Sequence, residues 1–170
     1  DLVFVKVLHE LRNGAQLCLS EEHDIVYKSA PLENEVAAQP MPAAKLLVPE
    51  LALWQREIVP DDVLLFRYSA LTFNGHRIHY DRDYAVQVEG YSGLVVHGPL
   101  LATQLAQFAE QHFANGGRSL SHFDAKVASP VIDTQHYTLC AGSEADDGCV
   151  PLWIVKDDGV VAMRAEARFL

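Results

Sequence analysis

The sequence has few cysteines, no cluster of basic residues and no long apolar run, and each of these features excludes a class of protein. No apolar run among the 170 residues is long enough to span a membrane, and no signal-peptide pattern is present. The formal net charge is −10 and the lysines and arginines are scattered, which argues against nucleic acid as a partner. We therefore expect a globular chain that binds neither membranes nor nucleic acid.

The three cysteines are Cys18, Cys140 and Cys149. Because this odd number has no metal-ligand spacing, it predicts reduced thiols and a cytoplasmic protein. Cys140 and Cys149 could face each other across a hairpin, but two free thiols are the interpretation that we favour. The chain begins without methionine and enters a strand-like run at once, so we expect a fragment or a processed chain.

The first residues alternate between apolar and polar side chains. Val3, Val5 and Val7 share one face, which predicts a strand. Asn13-Gly14 suits a tight turn, because both residues tolerate positive φ, and a second strand is predicted at 17–27. A lone hairpin is only marginally stable in water. It must therefore pack on the rest of this chain or on a missing N-terminal portion.

Prolines dominate the stretch that follows the hairpin. They stand at positions 31, 40, 42, 49 and 60 and predict an irregular linker, with a short helical turn near 51–56. We therefore divide the chain into a hairpin at 1–28, a linker at 29–60 and a second domain at 61–170.

The second domain combines one long apolar helix with several strands. We predict a short strand at 63–68, a loop at 72–81 and a brief helix near 81–86. Gly98-Pro99 opens the long helix, whose apolar stripe includes Leu101, Leu105 and Phe108 and which ends at 115–117. Four strands follow, near 121–129, 134–141, 150–156 and 160–169, and the last alternates between an apolar face from Val161 to Phe169 and a mostly polar face. This order predicts an α+β fold in which an antiparallel sheet wraps around a central helix.

His79 is the best candidate for a general base, because histidine exchanges protons near neutral pH. Asn74 can orient water or a carbonyl group, but it can equally well stabilise a turn ahead of Gly75. Gly98 stands where the first N–H groups of the long helix could stabilise negative charge on a thioester oxygen.

Two other interpretations of the polar residues are weaker. His76, His79 and His97 could bind a metal, but no cysteine or acidic ligand stands at a convincing spacing, so we predict no metal site. Three cations could meet the phosphates of a nucleotide-bearing substrate or could simply be solvated: Lys45, Arg77 and Arg82.

The run Asn74-Gly75-His76-Arg77-Ile78-His79 resembles the motif of the hot-dog-fold hydratases and dehydratases of the MaoC type, Asp-x-Asn-Pro-Ile-His. His79 falls on the catalytic histidine of that family and Asn74 on its catalytic aspartate. Val96-His97-Gly98-Pro99 falls on its His-Gly element. The longer run at 66–81 is similar to a narrower subgroup, which contains mesaconyl-C4-CoA and itaconyl-CoA hydratases and the mitochondrial type 2 3-hydroxyacyl-thioester dehydratase.

The resemblance implies a catalytic hot dog at about 60–170 and the remnant of a second hot dog in the N-terminal hairpin. It also implies reversible addition of water to an α,β-unsaturated acyl-CoA without a cofactor. His79 would act as base and acid, Asn74 would orient the water, and the Gly98 N–H would polarise the thioester carbonyl. The implied substrate-binding residues are Tyr68, His76, Arg77, Val96, His97 and Pro99.

The implied partner is a second hot dog, either in a homodimer or as an N-terminal domain of the same protein. Two alternatives to a hydratase remain open at the level of the sequence. One is a thioesterase on the same fold, since one fold hosts several chemistries. The other is a degenerate acyl-binding or structural domain, which the absence of the catalytic aspartate suggests.

Overall fold

The computed structural model describes residues 2–28 and 51–170, which belong to two separate units of the chain. The first unit contains an antiparallel hairpin of β1 (Leu2–Asn13) and β2 (Gln16–Lys28). The chain turns where Asn13-Gly14 predicts, with Gly14 at a φ of 60°. The two strands form a sheet of their own.

The second unit is built on a five-stranded antiparallel sheet in the order β3-β5-β6-β7-β4. The strands are β3 (Trp54–Ile58), β4 (Leu120–Val127), β5 (Tyr137–Ala141), β6 (Cys149–Lys156) and β7 (Val161–Phe169). Three helices precede β4: α1 (Asp62–Thr72), α2 (Arg82–Gln87) and α3 (Gly98–Phe113). A single 3₁₀ turn, Arg77–His79, lies between α1 and α2.

Helix α3 packs against four of the five strands, β4 to β7. Leu101, Leu105 and Phe108 are at most 1 % exposed, whereas Thr103 and Gln107 on the opposite face are exposed. The alternation predicted for the last strand is confirmed, since its inward residues from Val161 to Phe169 are all buried. The α+β arrangement of a long helix on an antiparallel sheet is therefore as the sequence predicts. No helix in the described ranges is long and apolar enough to cross a membrane.

Two local predictions are wrong. The helical turn near 51–56 is replaced by β3, which pairs with β5 across more than eighty residues of sequence, so its local pattern carried too little information. The strand at 63–68 is replaced by α1. Asp61 caps this helix by accepting a hydrogen bond from the Leu64 N–H at 2.6 Å, a start signal that outweighs the apolar run after it.

The predicted division at 28 and 60 stays a prediction, and residues 29–50 of the predicted linker lie outside the described ranges. Cys18, Cys140 and Cys149 are free thiols. Cys140 pairs with Trp153 and Cys149 with Arg168 in the sheet register, so the two cysteines do not face each other. The cytoplasmic location stays a prediction.

Candidate active site

The loop after α1 is held in a fixed shape by local hydrogen bonds. Phe73 ends the helix in the left-handed region, with a φ of 53°. The Asn74 Oδ1 atom accepts a hydrogen bond from the His76 backbone N–H at 3.0 Å, and the Tyr80 hydroxyl donates to the Gly75 carbonyl at 2.9 Å. These bonds turn the chain into the 3₁₀ segment that carries His79.

His79 is buried, with 8 % of its surface exposed, and its orientation is set by the backbone. Its Nδ1 lies 2.7 Å from the Val95 carbonyl oxygen. Because a carbonyl only accepts hydrogen bonds, Nδ1 carries the proton and the neutral ring keeps a lone pair on Nε2. No hydrogen bond to Nε2 is formed within residues 2–28 and 51–170. The ring therefore offers Nε2 as a base.

The pKa of His79 is lowered, and the largest cause is burial, which disfavours the charged ring. The hydrogen bond to Val95 acts in the opposite direction, and the nearby His76 lowers the pKa further. His76 itself is exposed and meets the ring of His79 edge-on, with centroids 5.5 Å apart. His79 is consequently neutral at pH 7, as a general base requires.

His79 lines a cleft of about 300 Å³ together with Gly98. The rest of the wall is mostly apolar and comes from Tyr91 and the segments 95–101 and 127–131. Gly98 is the first residue of α3 and Pro99 the second, so the N–H of Gly98 has no partner within the helix. A Cβ atom at Gly98 would lie 3.4 Å from Val127 Cγ2, so glycine keeps this wall open.

His97 stacks on the ring of His79. Its centroid lies 3.7 Å from that of His79, and the two planes differ by 17°. His97 is fully buried, and its Nε2 lies 2.8 Å from the Ser69 hydroxyl, while Tyr68 packs against it edge-on. Its Nδ1 has no hydrogen-bond partner in the described part of the chain. Burial lowers the pKa of His97 to about 4, and the neighbouring His79 and His76 add to this effect.

Asn74 does not line the cleft that contains His79. It borders a second cleft of about 290 Å³, with Phe73 and Tyr80 among its neighbours. Since Oδ1 is already occupied by the His76 N–H, the amide presents its Nδ2 as the available polar group. The turn-forming role is thus observed, and a role toward water or substrate stays a prediction.

The remaining predicted binding residues have varied settings. Arg77 forms an ion pair with Asp81 at 2.6 Å and lies over the ring of Tyr84. Arg82 pairs with Asp133, and Lys45 lies outside the described ranges. Val96 lines the cleft next to Gly98, whereas Pro99 is exposed. No group of three His, Cys, Asp or Glu side chains in the described residues is arranged to hold a metal ion.

Three residues that take part in the site are not indicated by any pattern in the sequence. Val95 acts through its backbone carbonyl, for which the residue type is not informative. Asp133 accepts a hydrogen bond from the Leu94 N–H, next to Val95, but is remote from it in sequence. Ser69 lies within the run similar to the hydratase subgroup, but its spacing does not point to His97.

The long helix on an antiparallel sheet defines the class of hot-dog folds, and comparison with solved structures agrees. HtdX of Mycobacterium tuberculosis aligns with a TM-score of 0.69 at 18 % identity, over 98 % of this chain and 62 % of that one. The (R)-hydratase of A. caviae aligns with a TM-score of 0.58 at 18 % identity, over 67 % and 89 %. At this identity the likeness establishes the fold, and the predicted hot-dog fold is confirmed.

Sequence comparison identifies the family. The profile of the hydroxyacyl-thioester dehydratase type 2 family matches residues 1–133, and the chain belongs to this family. It is 41 % identical over 164 residues to the mesaconyl-C(4)-CoA hydratase of Chloroflexus aurantiacus, and 30 % identical over 139 residues to the mitochondrial hydroxyacyl-thioester dehydratase type 2 of Schizosaccharomyces pombe. These alignments cover 96 % and 82 % of this chain but only 55 % and 42 % of the relatives.

Proposed function

We propose that this chain carries the catalytic part of a hydratase/dehydratase that reversibly adds water across the α,β double bond of an acyl thioester. One observation carries the proposal: the Nε2 lone pair of His79 is available in a cleft that also contains the first residue of α3. A base and an anion-stabilising helix end are the two groups that hydration of the double bond of an enoyl thioester needs.

The proposed reaction uses His79 twice. Nε2 removes a proton from water while the water oxygen bonds to Cβ, and the electrons of the double bond move to the thioester carbonyl oxygen. The N–H of Gly98, at the positive end of the α3 dipole, stabilises the resulting enolate. The enolate then collapses and Cα takes the proton from Nε2, so that His79 returns to its starting state. Dehydration is the same sequence in reverse.

We propose an acyl-CoA with a carboxylate on its acyl group as the substrate. The relative from Chloroflexus aurantiacus is named for such a substrate, mesaconyl-C(4)-CoA. In this proposal the acyl group extends into the second cleft, where the Nδ2 group of Asn74 can donate a hydrogen bond to its carboxylate, whereas an aspartate there would repel it.

The proposal is tested by two assays on the intact protein with a panel of straight, branched and dicarboxylic enoyl-CoA substrates. Loss of absorbance of the conjugated double bond, without release of free thiol, is the expected result. Thiol release would identify a thioesterase instead. Binding of acyl-CoA without either change would identify a degenerate binding domain, and both of these outcomes contradict the proposal.

We further propose that the catalytic hot dog pairs with a second hot dog, supplied by the same protein or by another copy. The hairpin supports this pairing, because several of its apolar side chains are more than half exposed, including Leu2, Phe4 and Leu8. A two-stranded hairpin gains stability only by packing on further structure. The mass of the intact protein in solution, compared with its sequence mass, separates pairing within one chain from a homodimer.

A further inference from the structure

The segment 94–96, which carries the Val95 carbonyl, is hydrogen-bonded to the segment 131–133 on both sides of Val95. The Leu94 N–H donates to Asp133 Oδ1 at 2.9 Å, and the Asp133 N–H donates to the Leu94 carbonyl at 2.9 Å. Two residues further, the Val96 N–H donates to the Val131 carbonyl at 2.8 Å. The Val95 peptide is therefore held between two anchored neighbours.

Val95 also connects these hydrogen bonds to His79. Its N–H donates to the carbonyl of Ile78 at 3.0 Å, and its own carbonyl accepts from His79 Nδ1 at 2.7 Å. A small displacement of this peptide would change both the position of the 3₁₀ turn and the acceptor that orients the His79 ring.

The carboxylate of Asp133 is enclosed on several sides. Its side chain is 5 % exposed, and the guanidinium of Arg82 pairs with it. A Cβ atom at Gly93 would lie 2.6 Å from Asp133 Oδ1 and 2.8 Å from Ile132 Cγ2, so the backbone approaches the carboxylate as closely as glycine allows. The acceptor for the Leu94 N–H is consequently fixed in place, with little room for a longer side chain.

We propose that Asp133 is a positioning residue for His79, which fixes the Leu94–Val95 backbone so that the Val95 carbonyl holds His79 with its proton on Nδ1 and its lone pair on Nε2. The effect on catalysis rests on the function proposed above, whereas the effect on the protonated nitrogen does not. Asp133 makes no contact with the reacting atoms in this proposal. Its charge is secondary, and the location of its Oδ1 acceptor is what matters.

Two variants of similar size separate the acceptor from the charge. Asp133→Asn removes the charge but keeps an oxygen acceptor at the same distance from the backbone. Asp133→Glu keeps the charge and the attraction to Arg82 but moves the acceptor by one methylene group. If positioning is the role, Asn should behave almost as wild type and Glu should not. Glu144→Gln, at the ion pair with Arg118, serves as a control for the loss of a partly buried charge pair elsewhere.

The first measurement is independent of activity. The ¹⁵N chemical shifts of the His79 ring, assigned with a His79→Gln variant, report which ring nitrogen carries the proton. We expect Nδ1 protonation in wild type, Asp133→Asn and Glu144→Gln, and a mixture of the two neutral forms in Asp133→Glu. The titratable side chains around His79 are His76 on its own loop, His97 at the start of α3 and Tyr91 in the cleft wall, and none of them is altered.

The second measurement is the hydration rate as a function of pH. Asp133→Glu should lower kcat about tenfold to a hundredfold, because a base displaced by a fraction of an ångström loses alignment, while KM changes little. Losing the hydrogen bond to Val95 removes an influence that raises the pKa of His79. The acid limb of kcat should therefore move to lower pH in Asp133→Glu, a shift that general destabilisation does not produce.

The proposal is overturned if Asp133→Glu keeps the Nδ1 protonation of wild type, or if Asp133→Asn loses it. Each variant decides alone should the other fail to fold. If wild type hydrates no enoyl thioester, the proposed function fails, while the ¹⁵N comparison still tests the positioning role.

Discussion

The ring of His97 lies parallel to that of His79, with the two centroids 3.7 Å apart, and only His79 lines the cleft. The ring of His79 is therefore open to the cleft, whereas the ring of His97 is fully buried. Burial is the largest cause that lowers the pKa of each ring, and a charge on His79 would lower that of His97 further, so both rings are neutral above pH 6.5. This pairing leads to different predictions for the two histidines.

Replacing His79 with alanine should abolish most of the hydration activity. We expect kcat to fall by about a hundredfold or more, the usual contribution of a positioned general base. Circular dichroism should show an unchanged fold, because the ring borders a cleft. His136→Ala is a matched control, since His136 is exposed and pairs with Glu57 outside the cleft. Equal activity of His79→Ala and wild type on every substrate would rule out the proposed mechanism.

The acid limb of kcat/KM should lie below pH 6.5. The neutral form of His79 is the base, so activity falls as the pH drops through its pKa, and burial lowers that pKa from 6.5. A pH profile of kcat/KM with an uncharged enoyl group provides the measurement. An acid limb centred above pH 6.5 would mean that another group controls the rate.

His97 should make the folded state less stable as the pH falls from about 6.5 to about 4. Its pKa is near 4 in the folded protein, so the unfolded chain takes up a proton first and the free energy of unfolding decreases. The loss from this group amounts to roughly 3.5 kcal/mol at most, at about 1.4 kcal/mol per pKa unit.

Urea unfolding of wild type and His97→Phe between pH 7.5 and 4 tests this expectation, because phenylalanine cannot be protonated. The pH dependence should be shallower in His97→Phe. Parallel curves for the two proteins would show that His97 does not contribute.

Asn74→Asp should discriminate between substrates. A new carboxylate beside the acyl group should repel a dicarboxylic acyl-CoA, so we expect activity to fall most for that class and least for unbranched monocarboxylic enoyl-CoA substrates. Asn74→Ala should lower kcat less than His79→Ala, because Asn74 borders a different cleft from His79 and moves no proton. Comparison of kcat/KM across the substrate panel provides the measurement, and a uniform effect of Asn74→Asp would contradict recognition of a carboxylate.

Much of the helix-on-sheet framework could be predicted from local sequence. The Gly98-Pro99 start and the apolar stripe predict α3, and strict alternation predicts β7, because each pattern reports a single face of a single element. In contrast, β3 at the sheet edge depends on pairing with β5, which its five residues do not specify. The cap at Asp61 was a local signal that the apolar run after it obscured.

The residues of the site also divide into those that the sequence indicates and those that depend on the folded chain. The motif indicates His79 and Gly98, and the structure places both on one cleft. It does not indicate that Asn74 borders a different cleft, since the path of the loop depends on the left-handed turn at Phe73. The contact of Asp133 with Leu94 spans 39 residues and that of Val95 with His79 spans 16, and such contacts exist only once the chain has folded.

The group that orients His79 is a main-chain carbonyl, so no substitution of the Val95 side chain removes it. A screen that replaces every residue with alanine would remove the buried side chain of Val95 but keep its carbonyl, so any effect would report packing and not the role of the oxygen. Only an alteration of the backbone itself, such as an amide-to-ester replacement at the following residue that weakens the carbonyl as an acceptor, would reveal its role. The protonated nitrogen of the base is in this sense set by the local backbone conformation, to which Leu94, Val95 and Asp133 all contribute.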